Sequence, residues 1–233
     1  MTTTRPLRPS PMPVKICCIQ TVEEAAIAMK HGATILGLVS KMPSGWGPIA
    51  EAKIAEIVAS IPPGIVSCLL TSRSTAEGII EQQRACGANA LQLVDGLEEG
   101  GHEVLRRALP GVSLLQAVHV YDDTAIAHAQ ALEGKVDGLI LDTGNPNAET
   151  KVLGGTGQTH DWSISARIVQ AVSTPVFLAG GLKVHNVAEA IGTVRPFGLD
   201  LCTGVRSSDD MAIVDEKVAD FMRAVRAAEH AAS

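Results

Sequence analysis

Three glycine turns lie late in the chain: Gly154-Gly155-Thr156-Gly157, Ala179-Gly180-Gly181 and Cys202-Thr203-Gly204-Val205. Glycine permits a positive φ and lets the backbone approach a ligand closely. Backbone N–H groups at the start of a helix form a ready site for an anion. In barrels of eight strand–helix units, the loops after the last two strands often hold a phosphate group. The turns therefore predict an α/β barrel that binds a phosphorylated small molecule.

Short apolar runs alternate with helical stretches eight times along the chain. The predicted strands are Val14–Ile19, Thr34–Val39, Ile65–Leu70, Ala90–Val94, Ser113–Val120, Gly138–Asp142, Val176–Ala179 and Gly198–Cys202. The predicted helices are Val22–Lys30, Ile49–Ser60, Thr75–Cys86, Glu99–Ala108, Asp123–Leu132, Trp162–Val172, Asn186–Ile191 and a last one within Asp210–Glu229. This alternation indicates a parallel sheet, and eight units fit a single-domain (β/α)8 TIM barrel. An open doubly wound sheet is the alternative, but no glycine follows the first strand, where such folds carry GxGxxG.

Composition limits the classes of protein that this chain fits. Its 233 residues are 46% hydrophobic and 3% aromatic, which favours an aliphatic core in one barrel domain, residues 14–233, after a flexible tail, residues 1–13. A net charge of −6 argues against nucleic-acid binding, which needs a basic surface. The tail lacks the apolar segment of a secretory signal, and no apolar run reaches the roughly 18 residues that span a bilayer. We therefore expect a cytoplasmic protein with no membrane partner.

The five cysteines are Cys17, Cys18, Cys68, Cys86 and Cys202. Their odd number and the absence of a Cys-x-x-Cys pair argue against a disulfide framework and against a zinc site. The pattern instead favours free thiols in a reducing compartment.

Two polar residues at predicted strand ends are candidates for catalysis, because barrels of this kind carry catalytic groups there. Cys17 follows the first strand, and side-chain alternation places Lys15 one layer below it, where a cation could favour the reactive thiolate. The same alternation turns Cys18 outward, as a core residue facing the helices. Asp142 ends the sixth strand after three apolar residues and is a candidate general acid, the alternative being a cap or loop ligand.

Other polar residues near the strand ends form a candidate substrate pocket with Lys15: Lys41, Trp46, Gln92 and His119. Trp46 either stacks on an aromatic ring or covers its loop. His119 is more typical of a hydrogen-bonded structural histidine than of an acid–base group. Arg206 is expected to be a solvated or helix-end charge, or to reach a phosphate.

Several segments, in order, resemble the phosphoribosylanthranilate isomerase family. They are Val14-Lys15-Ile16-Cys17, Leu141-Asp142, Gly154–Trp162, Leu178–Leu182 with Asn186-Val187, Arg195–Asp200 and Thr203-Gly204-Val205. The resemblance covers nearly the whole chain from Val14. It implies a barrel that needs no metal or organic cofactor. It also implies an Amadori rearrangement of N-(5-phosphoribosyl)anthranilate to a 1-deoxyribulose phosphate product, in tryptophan biosynthesis.

The same resemblance implies roles for individual residues. Cys17 would be the general base that takes the sugar C2 proton. Asp142 would be the general acid that protonates the ring oxygen and opens the furanose to a Schiff base. The phosphate group would rest on Gly155, Gly157, Gly180, Gly181, Thr203 and Gly204.

The chain departs from the family pattern on the side that would face the aromatic ring. Gly45 stands where the family carries an Arg that holds the anthranilate carboxylate, so either Lys41 replaces this Arg or the substrate lacks the carboxylate. His119 replaces a frequent Arg, Val94-Asp95 replaces a His, and Cys18 replaces the glycine after the catalytic Cys. Two alternatives to the family reaction follow. One is a related isomerase or epimerase on another phosphorylated aminosugar or ketose, and the other is a non-catalytic barrel that binds a sugar phosphate.

Overall fold

The chain forms a closed barrel of eight parallel strands in sequence order, as a computed structural model that describes residues 9–43, 46–144 and 159–231 shows. The strands are β1 (Val14–Ile16), β2 (Ile35–Val39), β3 (Val66–Thr71), β4 (Ala90–Leu93), β5 (Ser113–His119), β6 (Gly138–Asp142), β7 (Val176–Leu178) and β8 (Gly198–Leu201). Each strand pairs with the next, and β1 closes the barrel against β8. The predicted (β/α)8 barrel is confirmed.

A helix follows each strand. The helices are α1 (Val22–Lys30), α2 (Glu51–Ser60), α3 (Ala76–Cys86), α4 (Gly101–Ala108), α5 (Thr124–Ala131), α6 (Trp162–Ala171), α7 (Val187–Val194) and α8 (Asp215–Ala231), with a short 3-10 helix, η1 (Thr203–Val205), before α8. Helix α1 begins and ends at the predicted residues. Its N-cap, Thr21, accepts a hydrogen bond from the backbone N–H of Glu24 at 3.2 Å, which satisfies a donor that the first turn leaves free.

The core has two layers. The outer layer, between strands and helices, is aliphatic and also holds Cys86. The inner layer, inside the barrel, includes Cys17, Cys18, Cys68 and Phe177. The prediction that Cys18 faces the helices is therefore wrong. Strand β1 ends at Ile16, and Cys18 has a φ of 62°, so the alternation of a strand no longer holds where it was applied.

The N-terminal segment is described from residue 9 onward. Met12 is buried, and its backbone N–H donates to the Glu229 carboxylate on α8 at 2.7 Å, which fixes the chain just before β1. Flexibility of the tail up to residue 13, and the domain boundary placed there, stay predictions. In the described parts of the chain, no helix has the length and apolar character needed to cross a membrane.

Candidate active site

The parallel strands bring their carboxyl ends to one rim of the barrel, and the candidate residues lie there. Cys17 directly follows β1, His119 and Asp142 end β5 and β6, and the register places these last two side by side. Gly180 follows β7, and Thr203 lies just beyond β8. Residues far apart in sequence thus meet at one end of the barrel, as the fold requires.

Cys17 lies above a buried ion pair. The Lys15 ammonium contacts the Asp200 carboxylate of β8 at 2.8 Å, and Lys15 is fully buried. Gly37 on β2 makes room for both groups, because a Cβ atom there would lie 2.9 Å from Cys17 Sγ and 3.1 Å from Lys15 Nζ. The thiol and the ammonium therefore approach the same point of the barrel wall. Strand alternation predicted this placement of Lys15 below Cys17.

The surroundings of Cys17 favour its thiolate. The Cys18 thiol, whose Sγ lies 4.0 Å from Cys17 Sγ, lowers the pKa of Cys17 most, and the Lys15 charge lowers it further, against the opposing effect of burial. For Lys15, burial alone would lower the pKa. Asp200 and the nearby thiols outweigh this effect of burial, so the pKa of Lys15 lies above its ordinary value. Lys15 is therefore a fixed positive charge, and the thiol best placed to ionise at this rim is Cys17.

Asp142 is held at the end of β6 by its own turn. Its carboxylate accepts the backbone N–H of Thr143 at 2.7 Å, and its backbone carbonyl accepts the N–H of Val120 at 3.0 Å. Gly180 makes this turn possible, because a Cβ there would collide with Thr143 Oγ1. Thr143 Oγ1 also lies 3.1 Å from His160 Nδ1, and burial lowers the pKa of His160 to about 4, so this ring is neutral near pH 7. The half-buried carboxylate of Asp142 thus has a fixed position at the rim.

The two loops after β7 and β8 pack against each other through glycine. Gly180 and Gly181 have φ values of 80° and 61°, which glycine adopts readily. Gly204, in η1, lies so close to the Leu182 carbonyl oxygen that no Cβ would fit. The Asn186 side chain braces the first loop, donating to the Gly181 carbonyl at 3.1 Å and accepting the Lys183 N–H at 2.8 Å. Gly155 and Gly157, assigned to the same phosphate site, lie outside the described residues.

The remaining predicted pocket residues differ in exposure. Lys41 is exposed just after β2, while Gln92 on β4 is buried. Burial lowers the pKa of His119, which is consistent with a neutral ring whose Nε2 lies 3.2 Å from the Val94 carbonyl oxygen. Among the described residues, neither Gln92 Oε1 nor His119 Nδ1 has a hydrogen-bond partner, although both atoms are buried. Both are therefore acceptors that a bound ligand could satisfy.

Arg206 differs from its predicted position. The sequence suggests a solvated or helix-end charge, but the side chain is fully buried and pairs with Glu24 of α1 at 3.0 Å. Its guanidinium also lies 4.7 Å from the centre of the Trp46 ring, so one face of this exposed indole is occupied. Glu24 was not singled out from the sequence, although the spacing Thr21-x-x-Glu24 is that of a capping box. No local sequence pattern indicates that Arg206 pairs with Glu24, which lies 182 residues away in the chain.

No group of three or more His, Cys, Asp or Glu side chains within the described ranges is arranged to hold a metal ion. The five cysteines are free thiols. The described rim offers the thiol of Cys17, the carboxylate of Asp142 and the imidazole of His119.

Comparison with known proteins decides the family. A family model described as N-(5'phosphoribosyl)anthranilate (PRA) isomerase matches residues 14–218. The chain belongs to this family. A relative from Methanosarcina mazei, N-(5'-phosphoribosyl)anthranilate isomerase 2, is 36% identical over 209 residues, which cover 88% of this chain and 92% of the relative.

Solved structures agree with this family assignment. The phosphoribosyl anthranilate isomerase from Thermococcus kodakaraensis is 27% identical with a TM-score of 0.76, over 92% of this chain and 99% of that one. The same fold, with 24% identity and a TM-score of 0.74, occurs in an isomerase solved with reduced 1-(o-carboxyphenylamino)-1-deoxyribulose 5-phosphate, over 93% of this chain and 99% of that one. The predicted membership in the PRA isomerase family is confirmed, and so is the predicted isomerase activity in tryptophan biosynthesis.

Proposed function

We propose that Cys17 and Asp142 carry the two proton transfers of the PRA isomerase reaction in this chain. The observation that carries the proposal is the position of the Cys17 thiol, beside the Cys18 thiol and above the buried Lys15–Asp200 pair at the rim that also holds Asp142. A general base acts in its ionised form, and the surroundings of Cys17 favour that form by lowering its pKa.

The reaction divides between these two groups. Asp142 donates a proton to the furanose ring oxygen while the bond from that oxygen to C1 breaks, and the nitrogen lone pair forms the Schiff base. The Cys17 thiolate then takes the proton from C2, and the electrons of that bond move to give an enolamine. Protonation at C1 and loss of the C2 hydroxyl proton yield the aminoketose. Each positioned acid or base contributes roughly 10²- to 10⁴-fold in rate.

The phosphate group of the substrate would bind the loops after β7 and β8. Gly180, Gly181, Thr203 and Gly204 belong to two loops whose backbones are in contact, and the glycines leave the backbone accessible. Backbone amides can bind a phosphate in a protein whose net charge is −6 without a cluster of basic side chains. By resemblance to the family, Gly155 and Gly157 would also bind the phosphate.

The aromatic part of the substrate would lie toward β2. Lys41 is exposed at the end of this strand and has the charge to pair with the anthranilate carboxylate in place of the Arg that Gly45 replaces. Trp46 would flank the ring from the same loop. Gln92 and His119 would contact the middle of the substrate through the buried acceptor atoms that have no partner among the described residues.

The proposal has a direct test. PRA generated in situ is supplied to the purified protein, and its disappearance is followed by fluorescence for the wild type, Cys17→Ala and Asp142→Asn. We expect turnover by the wild type and a loss on the order of 10²- to 10⁴-fold in each variant. Cys86→Ala is the matched control, because this thiol lies in the outer core layer on α3.

The control should keep its turnover, and circular dichroism should show that all three variants are folded. Full activity of Cys17→Ala or of Asp142→Asn would contradict the role of that residue. If the wild type binds PRA without converting it, and inorganic phosphate competes with this binding, the result would instead favour a barrel that binds a sugar phosphate without catalysis.

A reducing, cytoplasmic location belongs to the same proposal. Cys17 can act as a base only as a free thiol, and the five cysteines of the chain are free. A phosphorylated small molecule is the ligand, and neither nucleic acid nor a membrane is a proposed partner.

A further inference from the structure

The Arg206 side chain connects three loops of the rim. It directly follows η1, which carries Thr203 and Gly204 of the proposed phosphate site. Its Nη2 donates to the carbonyl oxygens of Cys17 at 3.2 Å and of Cys18 at 2.5 Å. Its guanidinium also contacts the face of Trp46, from the loop after β2. The three loops are those of the phosphate, the base and the aromatic ring in the proposed function.

The orientation of this guanidinium is fixed from the opposite side. Nη1 donates to the Glu24 carboxylate at 3.0 Å and to the Met211 carbonyl at 2.7 Å. Glu24 is held in turn, because its carboxylate also accepts the backbone N–H groups of Gln20 at 2.9 Å and Ile213 at 3.1 Å. A planar guanidinium with both ends engaged has little freedom to rotate, which a lysine ammonium would not reproduce.

The turn that Arg206 holds needs such support. Cys18 has a φ of 62°, a conformation that costs a residue other than glycine free energy and persists only where its surroundings enforce it. The two carbonyl groups bound by Arg206 lie on either side of the Cys18 Cα, because that of Cys17 precedes the Cys18 nitrogen and that of Cys18 follows the Cα. The same turn sets the direction of the Cys17 side chain, which is the proposed base.

We propose that Arg206 is a positioning residue of the isomerase, which holds the Cys17–Cys18 turn in register with the phosphate loop. The proposal rests on the proposed function, because it assigns Arg206 an effect on catalysis through Cys17. Arg206 touches no reacting atom. Arg206 affects how large a fraction of the bound substrate has its C2 proton within reach of the Cys17 thiolate.

Arg206→Lys tests this role. A lysine keeps the charge beside Glu24 but cannot donate to Glu24, Met211 and both carbonyl groups in the same planar arrangement. We expect kcat to fall by up to about 10²-fold, with KM nearly unchanged, at a temperature well below the Tm of the variant. We also expect a changed rate of alkylation of Cys17 by iodoacetamide, measured by peptide mass spectrometry. Arg226→Lys, an exposed arginine on α8, is the matched control and should change neither quantity.

A second variant covers the case in which Arg206→Lys does not fold. Glu24→Gln removes the charge that orients the guanidinium while leaving Arg206 in place, and it should lower kcat by a smaller factor. If Arg206→Lys does fold, the losses in the double variant should be less than additive, because both residues act on one turn.

Two results would overturn the proposal. One is a kcat and an alkylation rate of Cys17 in Arg206→Lys that match those of the wild type. The other is a loss of activity that follows only the loss of folded protein. The alkylation measurement separates this proposal from the role of Cys17, since a fully active Cys17→Ala would remove the base assignment and leave the effect of Arg206 on the turn measurable.

Discussion

The rim after β7 and β8 is shaped by backbone contacts at glycine, whereas the rim after β1 and β2 is shaped by buried charged side chains. On the first side, Gly180 packs on Thr143 and Gly204 on the Leu182 carbonyl. On the second side, Arg206 with Glu24 and Lys15 with Asp200 form ion pairs with almost no exposure. The first arrangement suits the phosphate group that PRA, the substrate of the family reaction, carries. The second depends on side chains that come from distant parts of the chain, α1 and β1 on one hand and β8 with the segment after η1 on the other.

The largest effect is expected on the glycine side, at Gly204→Ala. The added Cβ would overlap the Leu182 carbonyl oxygen, which is backbone and cannot move aside cheaply. Overpacking of this kind costs about 1–3 kcal/mol of unfolding free energy, and the KM for PRA should rise because the two loops separate. Urea unfolding and steady-state kinetics measure the two effects.

The control for Gly204→Ala is Gly192→Ala, on an exposed face of α7 with open space around the new methyl group. This variant should gain roughly 0.5–1 kcal/mol, because alanine is the better helix former, with KM unchanged. If both alanine variants behave alike, the close contact of the β7 and β8 loops is not what shapes the phosphate site.

An intermediate effect is expected at Cys18→Gly, on the other side of the rim. Glycine relieves the positive φ, so the variant should be more stable than the wild type by up to about 1 kcal/mol. The variant also removes the thiol that contributes most to the lowered pKa of Cys17, so that pKa should rise. Because the thiolate is the proposed base, the increase of kcat/KM with pH should then move to higher pH.

The comparison variant at this position is Cys18→Ser. It keeps a hydrogen-bond donor beside Cys17 and keeps the strained backbone, so its pH profile should remain nearer to that of the wild type. A Cys18→Gly profile that superimposes on that of the wild type would show that the Cys18 thiol does not tune the base.

The smallest effect is expected at Lys41→Met. The lysine is exposed, so its removal should change stability by less than about 0.5 kcal/mol. An exposed ion pair contributes roughly 0.2–1 kcal/mol, so the KM for PRA should rise by no more than about fivefold, with kcat unchanged. Lys53→Met, on α2, is the control for loss of an exposed lysine. An unchanged KM would mean that another group receives the carboxylate.

Sequence was sufficient for the features that repeat or that depend on one residue type. The alternation of apolar runs and helical stretches located all eight strands and predicted both ends of α1. The glycine turns marked the loops after β7 and β8 because only glycine fits those contacts. Such signals are local, so they can be recognised without knowing what packs against them.

The side-chain half of the rim could not be predicted in the same way. Strand alternation turned Cys18 outward because it was applied beyond the end of β1, to a residue whose φ is positive. The sequence predicts that Arg206 is a solvated or helix-end charge or reaches the phosphate, because nothing near it in the chain indicates Glu24 or the two carbonyl groups that it binds. Both errors concern contacts between β1 and the segment after β8, which adjoin only once the barrel is closed.

The Lys15–Asp200 pair spans that closure. Lys15 is opposite Asp200 in the register of β1 with β8, which are the first and last strands along the chain. A barrel that lacks β8 also lacks the Asp200 carboxylate that holds the Lys15 ammonium beneath Cys17. The chemical reactivity of this thiol therefore reports on the order of folding, because its present environment exists only after the C-terminal strand has docked.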